Sequence, residues 1–470
     1  MTRRGRDGGQ VTRTRWLVCA ALALFFAASA PLAAAYDLDR SIVRVKSGLV
    51  GWNTITSLCA LLGCQVLGAL DTPPLSGPAV PSSLFVVSGL PPLSPLSLSL
   101  LGIASVEVDL LVPVKQAALT APDGLLSRTP MSYYGTAAWE GYLSQPASGI
   151  VRIPDAHCAL QTTGDGIVAV IDSGIDSGHP TLQPLLTDGW DFTRDVAGGD
   201  EMADLGQASA AAPDGVYQVN QASVAVLDQA SVAVLDDPDH AAFGHGTMVA
   251  GIVHLVAPTA QIMPLKAFHA DGLGYTSDIL RAIYYATFQG AKVLNMSFSS
   301  PTSSPEITRA VYYAASQGLV SVASVGNDGS DSLVYPAALD NVMGVASTSN
   351  DDVRSTFSNY GAAQVWVAAP GEGIITTYPW SSYAAGWGTS FSTPFVSGAA
   401  ALLVGLEGTA NYAEASGVIS HAVPLSSELG YGRLDLYQAV LAGRDLWPDA
   451  PPSPVPETCS SLGVDWSAAP

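Results

Sequence analysis

Three short segments each place a reactive side chain where a regular element begins or ends. Asp172 follows the apolar run Gly166–Ile171, which has the composition of a strand buried on both faces. His245 lies between two glycines at the start of a small-residue helical pattern, and Ser390 follows Gly388 at the start of another. A Ser hydroxyl becomes a nucleophile when a His takes its proton, and an Asp can orient that His. The three residue types therefore suit nucleophilic acyl transfer.

Each of these residues also has a purely structural explanation. Asp172 could cap the segment that follows it, His245 could be a hydrogen-bonded core histidine, and Ser390 could be an N-cap. The combination favours chemistry, because each residue has a Gly-flanked, strand-end or helix-start context and the three occur in the order Asp, His, Ser.

The elements around these residues alternate between buried strands and helices. This alternation predicts an α/β fold with a mostly parallel central sheet and helices on both faces. The predicted strands are Gly166–Ile171, Gln261–Lys266, Ala291–Met296, Leu319–Ser324, Asn341–Ala346 and Val365–Ala368. The predicted helices are Gly246–Leu255, Ser277–Gln289, Glu306–Gln317 and Thr389–Leu406. We expect the main domain to span residues 150–445.

Residues 36–115 predict a separate small α/β unit. Its strands are Ser41–Lys46, Ser83–Val87 and Ala104–Val112, its helix is Trp52–Leu62, and the Pro- and Ser-rich stretch within Leu70–Leu100 predicts a loop. Residues 116–149 predict a linker with little regular structure, and residues 446–470 predict an extended Pro-rich tail.

Residues 195–240 form an acidic insertion between Asp172 and His245, with nine Asp or Glu and no Lys or Arg. The octapeptide QASVAVLD occurs there twice in tandem, at 221–236, and a β-hairpin is one interpretation. Two functional interpretations stay open. The insertion is either a solvated surface loop, or it is a gating flap or a cation site. The cation site would use Asp200, Glu201, Asp204 and the acids of 236–239.

Charge and composition exclude some partners. The chain has 470 residues, and 19 Lys and Arg against 40 Asp and Glu give a net charge of −21. This balance argues against nucleic acid and anionic lipid as partners.

The N-terminus carries the features of a secretory signal. Residues 1–35 contain five Arg, an apolar run over 16–30 and the small residues Ala33-Ala34-Ala35. A transmembrane anchor is the alternative, but the run is short for a span. We expect cleavage and export to the extracellular space or periplasm, with no membrane attachment afterwards. Removing these residues leaves a charge of 14 − 39 = −25.

Four cysteines follow the signal, and an oxidising destination permits disulfides between them. They are Cys59, Cys64, Cys158 and Cys459, which allow three pairings. Cys59 and Cys64 either pair or remain buried thiols. The spacing does not suit a zinc site.

Four ordered motifs resemble the subtilisin (subtilase) family of serine endopeptidases. They are VIDSGIDSGHP at 170–180, HGTMVAG at 245–251, SVGNDG at 324–329 and GTSFSTPFVSGAAALL at 388–403. The resemblance implies hydrolysis of polypeptides by Asp172, His245 and Ser390, with Asn327 in the oxyanion hole. A catalytically silent module with this fold, or an esterase, is the alternative.

The resemblance also implies where an extended peptide substrate pairs with the backbone. The corresponding positions are Gly272, Leu273 and Gly274 on one side and Ser297, Phe298 and Ser299 on the other. Val334 and Ala337 stand where the family often has glycines, which predicts a narrow pocket for small-to-medium apolar P1 residues.

Two further expectations follow from the resemblance. Residues 36–115 match an inhibitor-type propeptide in position and pattern, so the chain would be made as a zymogen inhibited by its own propeptide; a retained, unrelated N-terminal domain is the alternative. Catalysis in this family needs no cofactor or metal. One calcium site common in relatives is expected to be absent, since Thr181 replaces a ligand Asp, and the sequence locates no other structural calcium site.

Overall fold

The computed structural model describes residues 40–46, 52–72, 82–109, 122–206, 217–219, 223–226, 240–408, 411–450, 452 and 459. The predicted signal at 1–35, most of the octapeptide repeat and most of the Pro-rich tail lie outside these residues.

The N-terminal unit is a four-stranded antiparallel sheet with two helices. Its elements are β1 (Arg40–Val45), α1 (Trp52–Leu62), β2 (Gln65–Ala69), β3 (Leu84–Ser88), α2 (Pro95–Leu100) and β4 (Ile103–Val108). The strand order is β2-β3-β1-β4. The predicted α/β unit is present, but β2 was not foreseen and α2 replaces part of the predicted loop. Ser94 caps α2 and Pro95 begins it, which explains why a Pro- and Ser-rich stretch can start a helix there.

Residues 122–149, the described part of the linker predicted at 116–149, contain regular structure that packs on the main domain. They form β5 (Pro130–Tyr133), β6 (Thr136–Trp139), α3 (Glu140–Leu143) and α4 (Pro146–Ile150). The hydroxyl of buried Tyr142 donates to the carbonyl of Gly251 at 2.7 Å. The linker prediction was wrong because short elements held by tertiary contacts have no periodicity of their own.

The main domain alternates strands and helices, as predicted. Its remaining strands are β7 (Ile167–Asp172), β8 (Trp190–Asp191), β9 (Val196–Ala197), β10 (Tyr217–Val219), β11 (Ser223–Val226), β12 (Gln261–Lys266), β13 (Leu273–Gly274), β14 (Val293–Met296), β15 (Phe298–Ser299), β16 (Val320–Ser324), β17 (Val342–Thr348), β18 (Val367–Pro370), β19 (Ile374–Tyr378) and β20 (Ser382–Trp387). Its helices are α5 (His245–Val256), α6 (Thr276–Phe288), α7 (Pro305–Ser316), α8 (Thr389–Glu407), α9 (Tyr412–Ile419) and α10 (Leu436–Leu446).

An eight-stranded sheet organises this domain in the order β18-β17-β16-β14-β7-β12-β8-β9. All neighbours pair in parallel except β8 and β9. β7 lies between β14 and β12, so its carboxyl end opens at the middle of the sheet, where α/β folds place their sites. Buried hydrophobic residues form two large clusters that both include side chains of this sheet.

Helix α8 crosses the centre of the domain. Its length and apolar composition would suit a membrane span, but 94% of its most apolar window is buried inside the protein. It is therefore packed as a core helix, and it begins with Thr389 and Ser390.

Strands β10 and β11 of the acidic insertion do not form a hairpin with each other. β10 pairs with β13 and β15, and β11 pairs with β20, all antiparallel. Both strands find partners in other parts of the domain. The second copy of the octapeptide lies outside the described residues, so a hairpin within the insertion stays a prediction.

The N-terminal sheet packs against the starts of α6 and α7. Arg44 Nε donates to Glu306 Oε2 at 2.9 Å, and Glu306 is buried near the start of α7. Asp109 accepts from the backbone N–H of Ser277 in the first turn of α6 at 3.1 Å. A carboxylate at a helix N-terminus is favourable because backbone N–H groups there lack helical acceptors.

Two disulfides are present, Cys59–Cys64 and Cys158–Cys459. The first links the end of α1 to the residue before β2. The second spans 301 residues and attaches the tail to the segment before β7. Of the three pairings that the sequence left open, the structure has this one.

Candidate active site

Asp172 and His245 are brought together by the end of β7 and the start of α5. His245 Nδ1 lies 2.7 Å from Asp172 Oδ1, and both side chains are fully buried. The same Asp172 oxygen accepts the backbone N–H of Ser173 at 2.7 Å. These contacts fix the imidazole ring, so Nδ1 faces the carboxylate and Nε2 faces the opposite way.

The close approach of these two elements depends on glycine. A Cβ at Gly246 would lie 2.0 Å from the carbonyl oxygen of Gly174, so a larger residue would push α5 away from the end of β7. Gly174 itself has φ +101°, a conformation that side-chain-bearing residues rarely adopt. The glycines flanking both motifs are therefore structural requirements of the Asp–His contact.

Ser390 lies in the first turn of α8. The ring centroid of the next residue, Phe391, lies 5.6 Å from the ring centroid of His245, which places the start of α8 beside the imidazole. The Ser390 hydroxyl donates to the carbonyl of Ser297 at 2.9 Å. Among the described residues, His245 Nε2 is buried and has no hydrogen-bond partner. The nucleophile and the base are thus neighbours, with the hydroxyl turned toward Ser297.

Asn327 lies beside the start of the same helix. Its Oδ1 accepts both the backbone N–H of Thr389, at 2.9 Å, and the Thr389 hydroxyl, at 3.0 Å. These two donors fix the orientation of the amide, so that its Nδ2 points away from Thr389. The backbone N–H of Ser390 lies in the first turn of α8, where such groups lack helical acceptors. The site thus has two kinds of donor beside the nucleophile.

Glu201 is a buried residue of this site to which the sequence assigned only a tentative cation role. Its Oε2 accepts the backbone N–H of Gly244 at 2.9 Å and the Ser173 hydroxyl at 3.3 Å, and its Oε1 accepts the Thr247 hydroxyl. It therefore connects the residues that flank His245 with the residue that follows Asp172. Burial raises the pKa of the Glu201 carboxyl to about 8, and the nearby Asp172 charge adds to this rise.

Lys266 is the second residue that sequence reasoning missed. It ends β12, directly opposite Asp172 on β7, and is fully buried. Its Nζ donates to the carbonyls of Ser173 and Phe268, both at 2.7 Å, and to Asp204 at 2.8 Å. A Lys at the end of an otherwise apolar strand was the available signal, because a buried ammonium needs a full set of acceptors.

The predicted substrate segments form β13 and β15 on two sides of the site. Gly272 precedes β13, which comprises Leu273 and Gly274, and Ser297 precedes β15, which comprises Phe298 and Ser299. Phe298 is buried and packs on Phe268, with ring centroids 4.9 Å apart. Its bulk therefore fills the core.

Val334 and Ala337 are both buried in the hydrophobic cluster that contains Phe298 and Val325. The backbones of Ser300 and Tyr335 form an antiparallel bridge between these two regions. The structure thus brings the predicted pocket residues close to β15.

The described acids of the insertion do not fit a cation site, because donors of the protein already occupy them. Ser177 donates to Asp200, three donors contact Glu201, and Asp204 pairs with Lys266 and Arg194. Acids 236–239 lie outside the described residues. Among the residues that the structure does describe, no cluster of three His, Cys, Asp or Glu could hold a metal ion. Thr181 is the residue expected to replace a calcium-ligand Asp of the family. Its hydroxyl contacts the Ala137 carbonyl and the Tyr383 hydroxyl.

A Ser at a helix start, a His fixed by a buried Asp and an amide beside the Ser are the parts of a serine hydrolase site on an α/β fold. Comparison with known proteins places the chain within this class. Residues 164–437 match the family model described as the subtilase family, and the chain belongs to that family. It is a serine-type endopeptidase.

The chain is similar to several characterised proteases. It is 32% identical to thermitase from Thermoactinomyces vulgaris over 62% of this chain and 93% of that protein. It is 41% identical to subtilisin BL from Lederbergia lenta over 34% of this chain and 62% of that protein. It is also 32% identical to an intracellular serine protease from Paenibacillus polymyxa over 57% of this chain and 76% of that protein.

Proposed function

We propose that this protein hydrolyses peptide bonds through Asp172, His245 and Ser390, with Asn327 as an oxyanion donor. The observation that carries the proposal is the 2.7 Å contact between His245 and Asp172, which leaves the buried Nε2 without a partner next to the start of α8. A buried nitrogen without a partner is costly unless a partner arrives during function. The Ser390 hydroxyl would be that partner after it turns away from the Ser297 carbonyl.

The steps follow from the chemistry of these groups. His245 takes the Ser390 proton as the hydroxyl adds to the substrate carbonyl, and later gives a proton to the leaving amine. Asp172 holds the imidazole in the required tautomer and stabilises its cation. The Asn327 amide and the Ser390 backbone N–H donate to the oxyanion; loss of the Asn donor costs about 10²–10³ in rate, a value measured in subtilisin itself. The mechanism uses no cofactor.

A fluorophosphonate probe combined with a casein assay tests this proposal. We expect the processed wild-type protein to be labelled and to cut casein, and Ser390→Ala to do neither. Labelling without peptide cleavage would support an esterase. No labelling of correctly folded wild-type protein would support a silent module, which keeps the fold without the activity.

We propose that an extended peptide binds between β13 and β15 by backbone pairing. Residues 272–274 and 297–299 would supply the paired backbone groups. The buried Val334 and Ala337 near β15 favour small-to-medium apolar P1 residues. A peptide-library cleavage profile tests this, and a preference for aromatic or basic P1 residues would contradict it.

The N-terminal unit is proposed as a propeptide that makes the protein a zymogen. Its support is the docking of β1 and β4 on the starts of α6 and α7, through Arg44–Glu306 and Asp109–Ser277. Sequencing of the active form tests this: a mature N-terminus beyond residue 109 supports processing, and one near residue 36 contradicts it.

Export to an oxidising compartment is proposed from the features of residues 1–35. The pairing of all four cysteines that follow them agrees with such a destination. Localisation of the protein in its native host, with and without residues 1–35, tests this proposal.

A further inference from the structure

Strand β10 occupies the space between the two segments proposed to bind substrate. It is the middle strand of a three-stranded sheet in the order β13-β10-β15. Tyr217 pairs with Gly274, and Gln218 pairs with Leu273 on one side and Ser299 on the other. Both pairings are antiparallel.

Strand β11 follows β10 in the same insertion and pairs with the strand that precedes the nucleophile. Ser223 pairs with Trp387, the last residue of β20, and Trp387 is three residues before Ser390. On the side of β10, Val219 pairs with Phe298, and the preceding residue Ser297 accepts the Ser390 hydroxyl. Both pairings therefore lie close to Ser390.

The chain length between the strands agrees with this placement. Val219 and Ser223 are four residues apart, so their Cα atoms are separated by at most about 14 Å. The two strands are thus close together in the chain, and each pairs with backbone that lies near Ser390.

Backbone pairing of this kind excludes a substrate. β13 and β15 each contain two residues and present unpaired edges when β10 is removed. An extended peptide would satisfy the same N–H and C=O groups. Only one strand can pair with both edges at a time.

We propose that strands β10 and β11 of the acidic insertion form an intramolecular inhibitor that occupies the substrate cleft. The inference rests on the proposed function, because it assigns to these strands the sites proposed for the peptide substrate. It answers the open question about the insertion: strands β10 and β11 gate the cleft, and activity requires their displacement. Docking of the N-terminal unit on α6 and α7 uses a different surface and is a separate restraint.

The inhibition is reversible and competitive. A tethered segment acts at an effective concentration in the millimolar range, against protease KM values from micromolar to millimolar. Loss of the strand is therefore expected to lower the apparent KM at least about twofold, and by up to about 10³-fold if the strand binds as tightly as a micromolar substrate, with kcat unchanged.

Gln218→Pro tests the proposal, with Gln218→Ala as the matched control. Proline has no N–H and does not fit a central strand, whereas alanine keeps the backbone donor. Both proteins are purified as the processed chain. Their active sites are counted with a fluorophosphonate, and KM and kcat are measured per active site on a soluble peptide. We expect a lower KM for Gln218→Pro and wild-type values for Gln218→Ala.

Hydrogen exchange provides a second measurement that does not depend on activity. In a Ser390→Ala background, Gln218→Pro should increase exchange at the amides of Gly274 and Ser299, which face β10, and Gln218→Ala should not. Equal thermal midpoints of the two variants show that the rest of the fold is intact. If proline perturbs folding, replacement of 217–226 by a Gly/Ser segment of equal length takes its place.

The outcomes separate this proposal from the proposed function. Labelled, active protein with the same KM and the same exchange in both variants overturns the inhibitor strand alone. Continued protection of those two amides in Gln218→Pro shows that another segment fills the cleft, and also overturns it. Absence of labelling in every variant instead overturns the proposed catalytic function.

Discussion

The two ends of the acidic insertion are held by different forces. Residues 195–206 contact the site from behind through buried side chains, Glu201 beside His245 and Asp204 beside Lys266. Strands β10 and β11 contact it from the front through backbone pairing with β13, β15 and β20. Side-chain contacts in a core are lost only by unfolding, whereas backbone pairing in a cleft can be exchanged for a peptide. One insertion thus contains both a support for the site and a removable occupant.

This difference determines which deletions of the insertion can test gating. A deletion that begins at residue 196 would remove Glu201 and Asp204 together with the cleft strands. Loss of activity in such a variant would then not report on gating.

The largest loss in the free energy of unfolding is expected from Lys266→Met. It leaves Asp204 and the carbonyls of Ser173 and Phe268 without their buried donor. Removing one partner of a buried ion pair costs about 3–5 kcal/mol. Chemical denaturation measures this loss. The double variant Lys266→Met, Asp204→Asn should recover part of the stability, and no recovery would argue against the pairing.

A smaller effect is expected from Glu201→Ala. Three buried donors near Asp172 and His245 lose their acceptor. We expect a net loss of about 1–3 kcal/mol, because removing Glu201 also removes the cost of burying its carboxyl group. Unfolding experiments and kcat should both show the change. Glu201→Gln is the control because the amide keeps an acceptor oxygen and the shape of the side chain. Equal losses in both variants would contradict a role for hydrogen bonding.

The pH dependence of stability is a further test of the buried Glu201 carboxyl. The pKa of Glu201 is raised from about 4.5 to about 8 in the folded protein, so folding favours its protonated form. Its contribution to stability is therefore complete below pH 4.5 and falls as the pH rises through about 8. Wild-type protein should lose more stability than Glu201→Gln between pH 6 and 9, measured by denaturation midpoints. Asp172 and Lys266 are the charged groups near Glu201, and both are the same in the two proteins.

The smallest effect on stability is expected from replacing 207–239 with a short Gly/Ser linker. The described part of this segment contributes only short strands at the cleft, and loop length changes loop-closure entropy slowly. We expect a change of about 1 kcal/mol or less in the free energy of unfolding. A loss comparable to that of Lys266→Met would show that both ends of the insertion support the core.

Much of the fold could be predicted from the sequence. The strands Gln261–Lys266 and Val293–Met296 and the helix Trp52–Leu62 are continuous patterns that local composition reveals. Elements without such patterns were missed. β5, β6 and α3 in the supposed linker are short, and they are stabilised by contacts such as that of Tyr142 with Gly251.

The candidate site divides in the same way. Asp172, His245, Asn327 and Ser390 were identified because each lies in a glycine-rich motif. Glycine is required there where an added Cβ would lie within about 2–3 Å of a neighbouring atom. Lys266 and Glu201 have no such flanking pattern. Their roles depend on burial and on partners that are mostly distant in the chain, up to 93 residues away.

The sequence by itself therefore determined the family, the reactive residue types and the alternation of strands and helices, since these depend on local composition and motif order. Only the tertiary structure decided the disulfide pairing, the support behind Asp172 and His245 and the occupant of the cleft. Those features are contacts between distant segments, and their free energy depends on burial and pairing that exist only in the folded chain.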